Sequence, residues 1–332
     1  MAKTCVPLTP ATPRIQLLGR DNGAGLSRDL DLLAAALREA GGVASINALP
    51  RRGRGAEWLT RLRLLRAAPS FELNLMLERI RPEFVRAARR NVLIPNPEYF
   101  RPRDRAALYA LDAVWAKTRH AERLFAALGV PTRHIGFASA DRLDAGIERQ
   151  HAFFHGPGRS GNKGTAALLQ LWAAHPAWPM LTVAWRRRQA DPGSLPANVR
   201  LLREHLDDDA YRRLQNAHRF HLCPSQTEGY GHYMVEAMSC AAVVITLDAE
   251  PMNELVGADR GLLVPARAVG QQDLSTLYDF EPAAMARAVE TCLQMSGAEA
   301  ERLGRAARAW YAAETAALPQ RLRDALGQLP QQ

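Results

Sequence analysis

The chain contains few cysteines and no long apolar run. Its four cysteines, Cys5, Cys223, Cys240 and Cys292, are scattered among 332 residues with no C-x-x-C spacing, so we expect neither a disulfide framework nor a zinc site. No apolar run approaches the ~18 residues that a transmembrane helix needs. Residues 1–13 contain one lysine and no apolar core, which argues against a signal peptide. Together these absences predict a cytoplasmic protein.

Metal-binding motifs are lacking as well. None of the nine histidines forms an H-E-x-x-H or comparable pair, and His221 stands in an apolar run, where a core position is expected. Two acid runs, D-L-D at 29–31 and D-D-D at 207–209, imitate a metal-binding pair. The second run opens a predicted helix, however, where acids cap the backbone and favour the helix dipole. We therefore predict no metal site.

Basic residues outnumber acidic ones, 43 to 34, which gives a formal net charge of +9. Arginines are concentrated at 51–66 and 78–90. One interpretation is a set of solvated helix faces. The other is a basic face for an anionic partner, such as the inner face of a membrane or a phosphorylated acceptor. Nucleic acid is less favoured, because these runs lack interleaved aromatic residues and a binding motif.

The length suits two domains of about 150 residues each. In the first, a strand candidate at 14–18 is followed by a glycine-rich turn and then by leucines and alanines at helical spacing. More short apolar runs, bounded by turn residues and separated by helical patterns, predict a parallel sheet. These runs lie at 70–77, 91–98, 113–118 and 133–137.

The polar segment 138–150 is typical of a linker, and the same order of elements then restarts. A strand at 152–155, a glycine-rich turn at 156–164 and a helix open the second half. Further strands are predicted at 180–185, 198–202, 220–224, 242–247 and 261–265, with helices at 208–219 and from 281 onward. The predicted fold class is α/β, with two doubly wound, Rossmann-like domains that face a cleft. Ligands of such sheets bind at the carboxyl ends of the strands.

The stretch T-E-G-Y-G-H-Y-M-V-E-A-M, residues 227–238, joins a strand to a helix. A helix N-terminus after a glycine turn favours phosphate. Glu236 lies about five residues into this helix, roughly 7–8 Å from its start, and a carboxylate can accept hydrogen bonds from vicinal hydroxyls. The spacing fits a nucleotide-sugar, with hydroxyls on both sides of a diphosphate. The alternative is that Glu228 favours the helix dipole and Glu236 is a surface residue.

The longer run from Pro224 to Pro265 resembles the donor-site signature of retaining GT-B glycosyltransferases, most closely family 4 with its Glu–seven residues–Glu motif. The resemblance implies a GT-B fold with an acceptor domain at 1–150, a donor domain at 151–318 and a tail at 319–332 that crosses back to the first domain. It also implies retaining, metal-independent transfer of a sugar from a UDP- or GDP-linked donor, without a cofactor. The acceptor would be a glycan, lipid-linked or small-molecule hydroxyl in bacterial glycan or glycoconjugate synthesis.

The resemblance also assigns roles to individual residues. Glu228 would contact the transferred sugar or stabilise charge at its anomeric carbon, and Glu236 would hold the ribose. Lys163 and Arg159 would neutralise the diphosphate, although Arg159 stands closer to the lysine than is usual. The other donor-side residues are Gly23, Gly25, Gly229, Tyr230, Gly231 and His232. The sequence departs from the family at 241–242, where two alanines replace the usual glycine and proline.

Outside the first glycine-rich turn, no single residue of the first half aligns with the family. Polar residues that end predicted strands are the acceptor-side candidates, namely Asn74, Glu78, Glu98, Lys117 and Thr118. Two other classes of function stay open. One is a GT-B relative with different chemistry, such as a sugar phosphorylase or a nucleotide-sugar epimerase. The other is a non-catalytic protein whose basic first domain binds membranes or nucleic acid.

Overall fold

The computed structural model describes residues 13–20, 25–49, 59, 62–64, 68–186 and 195–329. Gly23 and most of the arginine-rich run at 51–66 lie outside these residues. None of the helices within the described ranges has a stretch long and apolar enough to span a membrane.

Thirteen strands and nine α-helices are present in the described ranges. The strands are β1 Arg14–Arg20, β2 Val43–Leu49, β3 Phe71–Glu78, β4 Ala88–Pro95, β5 Ala113–Ala116, β6 Thr132–His134, β7 Gln150–Gly158, β8 Leu181–Trp185, β9 Val199–Leu202, β10 His218–Cys223, β11 Val243–Asp248, β12 Gly261–Gln272 and β13 Ser275–Phe280. The helices are α1 Gly25–Glu39, α2 Arg105–Leu108, α3 Arg119–Ala126, α4 Thr165–Ala174, α5 Asp208–Ala217, α6 His232–Ser239, α7 Met252–Leu255, α8 Pro282–Gln294 and α9 Gly297–Gly327. Short 3-10 helices occur at Pro82–Ala87, Pro97–Tyr99 and Pro102–Asp104.

The strands form two sheets, which confirms the predicted fold class. The first has the order β2-β1-β3-β4-β5-β6, and its neighbouring strands are all parallel. The second has the order β13-β12-β11-β10-β7-β8-β9 and is parallel except between β12 and β13. The order reverses around β1 in the first sheet and around β7 in the second. Each reversal leaves a crevice at the carboxyl ends of the strands.

Helix α1 shows how the sequence pattern produces the packing. Leu30, Leu33, Ala34 and Leu37 recur at the helical spacing of three and four residues, and all are buried. They pack in one core with Ile15 of β1. This packing fixes the N-terminal turn of α1 above the carboxyl end of β1, where the first glycine-rich loop also ends.

Two strands at sheet edges, β2 and β13, were not predicted, and β12 is longer than predicted. Residues 261–272 include Pro265, Gly270 and several exposed polar side chains, so the extension lacks the apolar alternation of a strand. Its conformation is stabilised instead by antiparallel pairing with β13, from Ala266 opposite Phe280 to Gln272 opposite Ser275. We refer to residues 261–280 as the hairpin.

The segment between the two sheets has no regular secondary structure but is not a loose linker. Arg142 is buried, and its guanidinium donates to both carboxylate oxygens of Asp208 (2.8 and 2.9 Å) and to Oε1 of Gln215 (2.9 Å). Asp207 accepts from the backbone N–H of Ala210. The capping role predicted for the D-D-D run is therefore confirmed for Asp207, while Asp208 has the different task of holding the linker.

Helix α9 connects the second domain to the first. It packs against α6 of the second domain and α1 of the first. Tyr311 donates to the carbonyl oxygen of Ser139 (3.0 Å), and Arg323 donates to that of Glu39 (2.9 Å). Because one continuous helix contacts both domains and the linker, it limits how far the domains can separate.

Gly304 marks the closest approach of α9 to the second domain. A β-carbon at this position would collide with the carbonyl oxygen of Ala241. Ala241 itself has a φ of 54°, in the left-handed region that favours the glycine usual in the resembling family. The backbone on both sides of this contact is therefore constrained.

We predict that Gly304→Ala lowers the free energy of unfolding. The gain in helix propensity is at most about 1 kcal/mol, whereas overpacking against backbone typically costs about 1–3 kcal/mol. Gly297→Ala is the matched control, because a β-carbon at that position of α9 meets nothing within 4 Å. Urea unfolding of both variants measures the difference, and equal stability would mean that α9 shifts freely against residue 241.

Candidate active site in the interdomain cleft

A cleft of about 880 Å³ lies between the two domains, within the usual size of small-molecule sites. Both domains contribute to its walls. The first domain contributes residues of α1 and residues that follow β3, β4 and β5. The second contributes the turn after β7, the residues around 204–208 that precede α5, and the turn leading into α6.

Helix α6 begins at the cleft. Strand β10 ends at Cys223, and the chain then turns through residues 224–231 before His232 starts the helix. Gly231, at the N-cap, has a φ of 107°, a conformation that other residues rarely adopt. This glycine lets the chain reverse so that Glu228, Gly229, Tyr230 and His232 all line the cleft.

Glu228 is buried and forms an ion pair with Lys163. Ser225 donates to the same carboxylate oxygen (2.5 Å), and the hydroxyl of Tyr233 lies 2.5 Å from Ser225 Oγ. The ammonium of Lys163 also lies 4.3 Å from the centre of the Tyr233 ring. Two of the three residues to which the resemblance assigns catalysis, Lys163 and Glu228, are therefore in contact, although 64 residues separate them in the chain.

Glu236 faces the cleft one turn into α6, and its side chain is only 5% exposed. Its two carboxylate oxygens have different partners. Oε2 accepts from Nε2 of Gln215 (3.0 Å), a residue of α5. Oε1 accepts from Nη1 of Arg28 (2.6 Å), a residue of α1 in the first domain. The interpretation of Glu236 as a surface residue is therefore wrong.

Asp29 links the domains at the base of the cleft. Its Oδ2 accepts from Lys117 Nζ (2.7 Å), and its Oδ1 lies 2.7 Å from Nε2 of His232. Ser139 of the linker lies 2.8 Å from the other ring nitrogen of His232. Burial raises the pKa of Asp29, but Lys117 and His232 outweigh this effect and hold that pKa well below its usual value. Asp29 is therefore charged in the folded protein at neutral pH.

Glu98, in the 3-10 helix after β4, is a buried acid on the first-domain wall. Its Oε2 has no hydrogen-bond partner among the described residues. Burial, to which the charge of Glu228 adds, raises the pKa of Glu98 to about 7. Glu98 is thus a buried, titratable carboxyl group that lines the cleft and has one unpaired oxygen.

The hairpin fixes the backbone on which Glu98 and Lys163 stand. Gln272 donates to the carbonyl oxygen of Glu98 (2.9 Å) and accepts from Asn162 Nδ2 (2.7 Å). The backbone N–H of Tyr278 donates to the carbonyl oxygen of Gln226 (2.9 Å). One element of the second domain therefore holds the three loops that present Glu98, Lys163 and Glu228.

The remaining predicted residues divide into two groups. Glu78 and Arg159 line the cleft, and Gly25 begins α1. Asn74 and Thr118 do not line it. Asn74 donates to the carbonyl oxygen of Phe84 and to Asn91 inside the first domain, and Thr118 caps α3 by accepting from Ala121. Both residues have local structural tasks.

Other site residues were missed by the sequence reasoning. They are Arg28 and Asp29, which partner Glu236 and His232, together with Ser225, Tyr233 and Gln215, which hold the two glutamates. Arg28 and Asp29 end the glycine-rich run at 22–29, which was expected to face the cleft, but no role was given to their side chains. Ser225 and Tyr233 lie within the motif that carries the resemblance, whereas Gln215 comes from a different helix. Nε2 of His221 donates to the carbonyl oxygen of Gln215 (2.9 Å) in the interior, as expected for a core histidine.

We predict that Asp29→Asn lowers the free energy of unfolding by about 3–5 kcal/mol, because it leaves the buried Lys117 ammonium without its carboxylate. Lys117→Met should have a similar effect, and the double variant should lose less than the sum. The pKa of Asp29 is lowered in the folded state, so its stabilisation is present above the unfolded value near 3.9 and is lost as the pH falls below it.

The measurement is urea unfolding at pH 7 and at decreasing pH, with Asp31→Asn as the matched control, since Asp31 is an exposed acid on the same helix. Additive losses in the double variant would contradict the pairing.

Comparison with known proteins identifies the fold. Residues 167–295 match the family model described as glycosyl transferases group 1. No curated protein is significantly similar in sequence. Among solved structures, HepE of Anabaena, in complex with UDP and glucose, superposes with a TM-score of 0.72 at 16% identity, over 96% of this chain and 100% of that one.

Two further structures give the same result. Sucrose-phosphate synthase from Thermosynechococcus elongatus has a TM-score of 0.70 at 16% identity, covering 96% of this chain and 99% of its own. A glycosyltransferase from Rickettsia africae has a TM-score of 0.69 at 12% identity, covering 96% and 97%. The chain therefore has the GT-B fold, and its second domain matches the glycosyl transferases group 1 family.

Proposed function

We propose that the protein is a retaining, metal-independent glycosyltransferase that moves a sugar from a nucleotide-diphosphate-sugar to an acceptor hydroxyl. The observation that carries the proposal is the contact between Lys163 and Glu228 beside the start of α6, with Glu236 one turn further along the helix. This arrangement offers a cation for the diphosphate and separate carboxylates for the sugar and the ribose. The structures of HepE with UDP and with UDP-glucose support a UDP-linked donor.

The donor fits the cleft in one direction. The diphosphate would lie at the start of α6, where free backbone N–H groups and the helix dipole favour an anion. The ribose would lie at Glu236, about 6 Å along the helix from His232. The base would extend toward residues 204–208, which line the same cleft. The sugar would then face Glu228 and the first-domain wall that contains Glu98.

The chemistry follows from these positions. The bond between the anomeric carbon and the diphosphate oxygen breaks while the acceptor oxygen bonds to that carbon on the same face. The hydroxyl proton passes to the departing phosphate oxygen. Lys163, with Arg159 at the cleft rim, neutralises the charge that develops on the diphosphate. Glu228 stabilises the positive charge at the anomeric carbon and accepts from sugar hydroxyls.

The first domain would bind the acceptor. Its cleft-facing groups include Glu78, Glu98 and Lys117, which are suited to a hydroxyl-rich acceptor. The resemblance places such an enzyme in bacterial glycan or glycoconjugate synthesis, with a glycan, lipid-linked or small-molecule acceptor. A lipid-linked acceptor would lie at a membrane surface, and a basic first domain would be attracted to the anionic lipids there.

We predict that Glu228→Gln and Lys163→Met each lower the transfer rate at least about 100-fold, the typical effect of removing one preorganised charge-stabilising group. Release of UDP or GDP from a panel of nucleotide-sugars measures the rate, and product analysis with free phosphate separates transfer from phosphorolysis or epimerisation. Arg287→Met, an exposed arginine of the same domain, is the control and should retain activity. Turnover like that of the unmodified enzyme in either site variant would overturn the role assigned.

A second prediction concerns pH. The raised pKa of Glu98 means that the folded protein holds this proton more tightly than the unfolded chain does. Its contribution to the free energy of unfolding is therefore complete below the unfolded value near 4.3 and is lost as the pH rises through about 7.

Between pH 5 and pH 8, the free energy of unfolding of Glu98→Gln should fall less than that of the unmodified protein. Urea unfolding across that range measures the difference. Glu290→Gln, an exposed acid of α8, is the control. Parallel curves for the Glu98 variant and the unmodified protein would show that Glu98 titrates normally.

A further inference from the structure

Both glutamates of the proposed donor site are paired with cations. Glu228 is paired with Lys163 of its own domain. Glu236 is paired with Arg28, which belongs to the opposite domain. The second pair is unequal, because the Glu236 side chain is 5% exposed whereas that of Arg28 is 46% exposed. Arg28 therefore approaches the carboxylate from the open side of the cleft.

This position makes Arg28 a competitor of the nucleotide. Gln215 holds Oε2 of Glu236 from within the second domain, so the cleft-facing oxygen is Oε1. Arg28 donates to that oxygen at 2.6 Å. Vicinal ribose hydroxyls need the same acceptor, and the guanidinium occupies the space from which they would approach. Arg28 therefore competes with the ribose hydroxyls for this oxygen.

A diphosphate at the start of α6 would be a second partner for Arg28. The next residue of α1, Asp29, lies 2.7 Å from His232 at the first position of α6. Arg28 thus stands beside the segment of α6 that runs from the proposed diphosphate position to Glu236, a distance of about 6 Å. A long arginine side chain spans this distance by changing rotamer, and its planar guanidinium binds phosphate oxygens through two hydrogen bonds.

The charge of the cleft favours such a move. The cleft is lined by eight acidic residues and five lysines or arginines, so a diphosphate needs every available cation. Release of Arg28 from Glu236 supplies one cation to the phosphates and at the same time frees a carboxylate oxygen for the ribose.

We infer that Arg28 is a donor-binding residue that exchanges its pairing with Glu236 for a pairing with the diphosphate when a nucleotide binds. The inference rests on the proposed function, because it requires a nucleoside diphosphate in this cleft. Since Arg28 comes from the first domain, the exchange makes donor binding depend on both domains even though the rest of the proposed donor site is in the second.

The test compares uridine with UDP, and guanosine with GDP, by calorimetric titration of the unmodified protein and Arg28→Ala. Uridine contains the ribose but no phosphate, so it should bind about two- to fivefold more tightly to the variant, the range expected for removing a partly exposed ion pair. UDP should bind about tenfold more weakly or worse, because a charge-assisted contact is lost. The opposite signs distinguish the exchange from a general loss of structure.

Glu236→Gln completes a double-mutant cycle with Arg28→Ala. In this background the carboxylate that Arg28 competes for is gone, so adding Arg28→Ala should no longer improve uridine binding. Arg38→Ala, an exposed arginine near the end of α1, is the matched control and should leave both ligands unaffected.

The outcomes separate the inference from the proposed function. Equal weakening of uridine and UDP by Arg28→Ala, or unchanged UDP binding, would overturn the role of Arg28 and leave the nucleotide site intact. Absence of UDP and GDP binding to the unmodified protein would instead overturn the proposed function, and the inference with it.

Discussion

The carboxylate of Asp29 is the contact on which the cleft depends. It joins the buried Lys117 of the first domain to His232 at the start of α6 in the second. Lys117 and Asp29 both belong to the first domain, whereas the contact between Asp29 and His232 exists only when the two domains are at this separation. Helix α9 packs on both α1 and α6 and favours the same separation. These contacts together favour the observed distance between the two walls of the cleft.

Charged side chains of the cleft pair with each other, both between loops of one domain and between the two domains. Lys163 pairs with Glu228, and Arg28 pairs with Glu236. Among the described residues, no cation is in hydrogen-bond contact with Glu98, and burial raises the pKa of Glu98 to about 7. The cleft thus contains groups that are ready to exchange partners. A ligand with both phosphates and hydroxyls is suited to such a site, because it can satisfy the cations and the carboxylates together.

The hairpin shows why the sequence alone predicts the central strands of the second sheet better than the strands at its edge. The strands β7, β8, β10 and β11 are apolar and buried on both faces, so their pattern is visible in the chain. Residues 267–271 are exposed and β13 is mostly half-buried, so the pairing of these strands depends on each other rather than on a buried apolar pattern. Yet Gln272 on this edge holds both Asn162 and the backbone of Glu98. The hairpin, which the sequence pattern predicts poorly, therefore positions the loops that contain the predicted site residues Lys163 and Glu98.

The sequence by itself determined the two Rossmann-like domains and indicated that Glu228 and Lys163 follow the carboxyl ends of strands, with Glu236 in the helix that comes next. Local periodicity, glycine turns and one contiguous motif contain that information. Only the tertiary structure decided that Arg28 and Asp29 face these residues, that Asn74 points into the core, and that Glu98 is the buried acid of the opposite wall. These relations arise where two separately folded sheets meet, so no spacing along the chain records them.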